Sequence, residues 1–215
     1  MAARPYGGTI PEPPAMRRFA LFLSVTILCL LAWTLPVLAC ACCSNEGQRY
    51  VKVEKLEAHR LEVFKQLRFA KRARLYLGES DLGDVKGIER PADSYDLSVT
   101  FTGNRMQFAF RDDKKNEGTL TLAVPESISI FEVDPREPDG GKDRVGPLLY
   151  KEWKLIANFS GTGIFRSGNG GYQKIALIAQ GRGNSCTDAE SFTHWTLYIY
   201  GPAGEYLLFG ELVKQ

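Results

Sequence analysis

Over most of the chain beyond residue 90, apolar and polar positions alternate with period two, the signature of strands with one buried face. Tyr95, Leu97, Val99 and Phe101 alternate with polar neighbours. Thr102-Gly103-Asn104 then turns the chain, and Met106, Phe108 and Phe110 resume the alternation. Two such runs around a Gly-Asn turn predict a hairpin. A polar turn over 112–118 leads into Leu120, Leu122 and Val124. Pro125 ends that strand because proline has no N–H to give a ladder. Ile128, Ile130 and Val133 mark another strand, with Phe131 expected at a bulge.

Further along, residues 134–146 read DPREPDGGKDRVG, a charged loop whose breakers forbid a regular element. Trp153, Leu155, Ala157 and Phe159 share one face, and Gly161 and Gly163 continue it. Glycines at inward positions predict a sharp bend or barrel corner. A turn at 167–171 precedes a strand over 172–180, and 181–192 is an irregular loop. A last hairpin joins 194–200 to 205–213 through Gly201-Pro202-Ala203-Gly204. The stretch 54–78 fits both periods; the reading adopted is a strand over about 66–78 with a short helix before it. About nine to eleven strands with short turns predict one all-β antiparallel domain. A meander-type barrel is expected rather than a sandwich, since strands follow one another directly and the Cys-Trp-Cys pattern of immunoglobulin domains is missing.

The N-terminal part breaks this pattern. Phe19 to Ala39 is an apolar run preceded by Arg17 and Arg18, the layout of a secretory signal. Residues 1–15, rich in Pro and Gly, read as a disordered tail or as sequence upstream of a true start at Met16. Residues 16–41 read as a signal peptide or membrane anchor, and 42–215 as an extracytoplasmic β domain. Cleavage is expected after Ala39 or Ala41. Val37-Leu38-Ala39-Cys40 resembles a bacterial lipobox, with Leu38 where that motif usually holds a smaller residue, which makes Cys40 the lipidation candidate. An uncleaved anchor is the third option, since about 20 apolar residues span a bilayer. All three put the β domain outside the cytoplasm, in the periplasm or secreted, with the membrane as a partner through this segment.

Charge and cysteine usage narrow the function. The chain has 27 Lys and Arg against 25 Asp and Glu, and without residues 1–39 the balance is zero. A nucleic-acid protein would carry a basic surplus, so that class is excluded. In an oxidising compartment Cys186 is expected to pair with Cys42 or Cys43. The chain-entropy model gives so long a closure ~4–5 kcal/mol. The alternative for Cys40, Cys42 and Cys43 is a soft metal site, but no C-x2-C pairs or nearby His complete it, and no metal or cofactor is expected.

No hydrolase elbow, zincin helix or phosphate-binding loop is present, and no catalytic residue is assigned. Cys186 and His194 are the one conceivable thiol–imidazole pair, the basis of an alternative reading as a thiol-dependent enzyme or redox protein. The carboxylates of 134–143 lack calcium-loop spacing. Asn158-Phe159-Ser160 matches a glycosylation sequon but falls in an expected core strand. Arg68, Arg72 and Arg74, with Arg60 and Lys71 near, form a basic stripe on one strand face, a solvated face or a meeting point for anionic groups. Tyr150, Trp153, Tyr172, Trp195, Tyr198 and Tyr200 are candidates to line a ligand cavity. The reading is an exported non-enzymatic envelope protein that binds a lipid, an apolar ligand or a partner protein.

Overall fold

The computed structural model describes residues 49–133, 149–183 and 188–214, all within the unit Cys42–Gln215. Side chains are described from residue 51 and, after the second interval, from residue 150. The apolar run 19–39, all five cysteines and the loop 134–146 lie outside the described residues. Among the described residues no helix is long and apolar enough to cross a membrane.

Eleven strands form one antiparallel sheet: β1 Arg49–Lys55, β2 Arg72–Tyr76, β3 Ser94–Thr102, β4 Arg105–Arg111, β5 Glu117–Ala123, β6 Ser127–Val133, β7 Leu149–Ala157, β8 Phe159–Gly163, β9 Lys174–Gly183, β10 Phe192–Tyr200 and β11 Tyr206–Glu211. One helix, α1 Ala58–Gln66, lies between β1 and β2. The sheet order is β1-β6-β7-β9-β10-β11-β2-β3-β4-β5-β8. Only Asn158 separates β7 from β8, and only residues 124–126 separate β5 from β6. The pairs β6–β7 and β5–β8 are therefore two stretches of one long bent pair. Otherwise β2 to β11 pair with their sequence neighbours, and β11 pairs with β2.

Size alternation builds the interior. One cross-strand row runs Ile130, Trp153, Ala179, Trp195, Gly210, setting large residues beside small ones. A Cβ on Gly210 would stand 2.9 Å from the Trp195 indole. The next row is Leu155, Leu177, Leu197, Leu208, Leu75, all buried. Burying each such side chain contributes about 1.5–3 kcal/mol. The Phe108 ring on β4 lies 6.3 Å from the Trp195 ring on β10, so strands four places apart in the sheet meet through their side chains.

Several expectations change. Phe131 pairs in regular register with Val51 and Glu152, without a bulge, because β6 has a strand on each side to hold it. The expected strand over 66–78 is confined to Arg72–Tyr76, because residues 68–70 bond instead along the C-terminal segment. Tyr172 precedes β9 rather than belonging to it, and β9 runs on to Gly183. Asn158 is exposed at the β7–β8 break, accepting from Lys174 Nζ at 2.6 Å. Gly161 and Gly163 do sit where the chain bends. A Cβ on Gly163, at φ +59°, would fall 2.0 Å from the Glu117 carbonyl oxygen, and one on Gly161 2.4 Å from that of Phe165. This close approach lets the 3-10 turn at 166–168 follow with Phe165 fully buried.

Candidate functional site

Where β2 meets β3 the sheet is barely stitched. Their ladder covers three residue pairs, Arg72 with Asp96, Ala73 with Tyr95 and Arg74 with Ser94. One further bond extends it at each end, from the Leu75 N–H to the Asp93 carbonyl at 3.0 Å and from the Leu97 N–H to the Lys71 carbonyl at 2.8 Å. Beyond the latter the chain preceding β2 leaves β3. Ala70 N–H donates to Glu211, Val213 N–H donates to Arg68, and Phe69 bridges to Leu212. β3 continues to Thr102, paired only with β4.

A slot of about 910 Å³ opens between the separated segments. Leu67, Phe69, Leu97, Val99, Phe101 and Val213 are its apolar lining, and Lys65, Arg68 and Lys71 supply three cations; among the described residues no carboxylate side chain lines it. Lys65 pairs with Glu62 at 2.6 Å. Arg68 and Lys71 are exposed and take part in no ion pair among the described residues. Val99 and Phe101 stand at inward positions of β3, yet they are only half-buried, because the strand that would cover them has turned away. Strand geometry adds a second property. The alternation that points the Leu97 N–H at Lys71 points the N–H and C=O of Val99 and Phe101 at the slot, where no strand among the described residues pairs with them. Behind the slot, the Phe69 ring packs 5.5 Å from Phe108 and 5.6 Å from Trp195. The buried Trp195 Nε1 has no hydrogen-bond partner among the described residues.

A second charged group sits on the inward side of β1, β6 and β7. Lys151 is fully buried, pairs across strands with Glu132 and Gly181, and holds its Nζ 5.4 Å from the Phe192 ring. Burial pulls the Lys151 ammonium down to about 8 against the opposing pull of Glu132 and Asp188. Burial also raises the Glu132 carboxyl, while Lys151, Arg60 and Lys52 act the other way. Arg60 pairs with Glu54 and lies 5.6 Å from the Trp153 ring. This is a charge network within the packed interior. A smaller cleft of about 410 Å³ at the other end of β3 mixes Arg72, Arg90 and Lys114 with Asp93, Asp112 and Asp113, so it has no single preference of charge.

The aromatic residues expected to line a cavity do not gather around one space. Trp153 and Trp195 are buried on the inner face. Tyr150 and Tyr198 occupy the opposite face by strand parity, and Tyr172 is 85% exposed. Burial, followed by its bond to Glu152, pushes the Tyr150 hydroxyl up to about 12. Tyr198 stacks on Tyr200 at 5.1 Å and donates to Glu205, which raises its pKa. His194 is exposed beside Thr193, and its supposed partner Cys186 lies outside the described residues, as do Cys40, Cys42 and Cys43. Among the described residues no three His, Cys, Asp or Glu side chains gather to hold a metal. Of the basic stripe, Arg68 and Lys71 reach the slot, Arg72 and Arg74 project from β2, and Arg60 turns to Glu54. Sequence reasoning missed Lys65, and it took Val99 and Phe101 for ordinary core.

No protein-family model matches the chain. No curated protein matches it, and no solved structure matches it. The site's own geometry is therefore the whole of the functional argument.

Proposed function

We propose that this is a non-enzymatic binding protein of the cell envelope, exported through its N-terminal segment and then tethered or released, whose β domain takes a ligand into the slot between β2 and β3. The domain is read as a closed meander barrel. In support, β11 pairs with β2, β8 continues β7, and β4 and β10 meet ring to ring. In that reading the slot is a side opening in the barrel wall. The observation that carries the function is the partial exposure of inward-facing Val99 and Phe101 beside cations, with no acidic side chain among the described residues of the lining. A wall position left uncovered costs apolar burial, and an occupant restores it.

The test uses a fluorescent dye that joins an aromatic body to one sulfonate. The dye is expected to bind saturably at one site per chain and to be lost when Val99→Glu puts a carboxylate into the slot. Val99→Ile, which keeps the slot apolar, is expected to retain binding and controls for folding. Dye binding unchanged by Val99→Glu would place the ligand site elsewhere.

A further inference from the structure

We infer that the occupant of the slot is an extended acidic segment of another envelope protein, which adds to β3 as a strand. This inference rests on the slot being the ligand site. Three properties of the slot have to be met together. The first is a strand edge that presents both donors and acceptors, at Val99 and Phe101. Buried backbone polar groups are left unpaired at a cost, so an occupant that covers this edge must bond to it. A hydrocarbon chain has nothing to offer either group. A carboxylate or phosphate head accepts from the N–H groups but gives nothing to the carbonyls. A peptide backbone supplies both, at the spacing of the edge itself.

The second property is the alternation of chemistry across the slot. An added strand sends successive side chains to opposite faces. The inner face offers Leu67, Phe69 and Phe101, while Arg68 and Lys71 are exposed. A segment alternating apolar with acidic residues meets both. The third is the charge itself: Arg68 and Lys71 line the slot beside the Glu62-paired Lys65, and among the described residues no carboxylate side chain does. Arginine favours carboxylates through paired N–H bonds. A basic segment would be repelled. The exposed edge from Val99 to Thr102 is short, which suits a segment of about six residues.

The test is binding of a synthetic peptide of about six residues that alternates valine and glutamate, with blocked termini, to the full chain, followed by fluorescence anisotropy. Four comparisons accompany it. A valine–lysine peptide of the same length is expected not to bind. Methylating the backbone nitrogen of every second residue, in the phase that faces β3, is expected to abolish binding, while every side chain is kept. Arg68→Gln with Lys71→Gln is expected to weaken binding about tenfold or more, with an unchanged melting temperature. An anionic fatty acid is expected to bind more weakly than the peptide. Binding that survives methylation in both phases overturns strand addition. Equal binding of the lysine peptide overturns the acidic preference. A slot that binds dye or fatty acid but no peptide overturns this inference and leaves the slot as a ligand site; a slot that binds none of them removes both.

Discussion

The β7–β9–β10–β11 wall and the β2–β3 seam belong to one sheet, yet they solve the problem of strand pairing in opposite ways. On the wall, β7 and β9 pair over nine residues and β9 and β10 over eight, and whole rows of side chains fit by size. At the seam the ladder has three pairs, and the next stretch of chain bonds to residues 211–213 instead. The lesson is that hydrophobic alternation settles which face a strand buries, but not how far it stays with a neighbour. Val99 has the alternation of a core residue and still borders a slot, because its strand partner ends at Lys71. Where pairing runs out, backbone groups and inward side chains become available to something else.

Substitutions on the two sides should therefore differ sharply in cost. Trp195→Ala on the wall is expected to cost about 3–5 kcal/mol in chemical denaturation, since it empties the centre of a row packed against Phe69 and Phe108. Val99→Ala at the seam is expected to cost only about 1 kcal/mol. Equal costs would erase the contrast. Gly210→Ala forces a methyl group against the Trp195 indole and is expected to destabilise by about 1–3 kcal/mol. If it is neutral, the row is looser than its contacts imply.

Proton linkage sharpens the comparison from a third place. The folded Lys151 sits near 8, below its ordinary 10.5, so between these values the unfolded chain holds more protons. Stability is then expected to rise with pH through about 8 to 10, the burial of the charged form being relieved as the group deprotonates. The Tyr150 hydroxyl, raised to about 12, works the other way from pH 10 upward. Denaturation curves at pH 7, 8, 9 and 10 should show the rise in the native chain and a flatter profile in Lys151→Met. A profile identical in both would remove Lys151 as its source. The smallest effect on folding belongs to Arg68→Gln with Lys71→Gln, expected within about 0.5 kcal/mol, since both side chains are exposed.

Much of this fold is legible residue by residue. The hairpin over 94–111 follows from Tyr95, Leu97, Met106, Phe108 and Phe110, and a left-handed Gly103, at φ +61°, makes its turn. Strand β1 is not legible, because its pattern is inverted. Val51 and Val53 are 68% and 73% exposed, while Lys52 and Glu54 face inward, paired with buried Ile130 and Ile128. An apolar residue at every second position normally announces the buried face; here a charge network claims the interior instead. The site is half legible. Arg68 and Lys71 stand out as cations close in sequence, but the slot depends on where residues 68–70 form hydrogen bonds. That partner, the segment 211–213, is distant in sequence, and no local pattern reports it.

Amide hydrogen exchange, read residue by residue with and without the valine–glutamate peptide, tests the central claim most directly. Exchange measures how well each N–H is held in a bond. The free chain is predicted to exchange fast at Val99 and Phe101 and slowly at Leu177 and Leu197, and the peptide to slow the first pair while leaving the second unchanged. Slow exchange at Val99 and Phe101 in the free chain, or protection by the peptide at any other strand edge, would contradict the account.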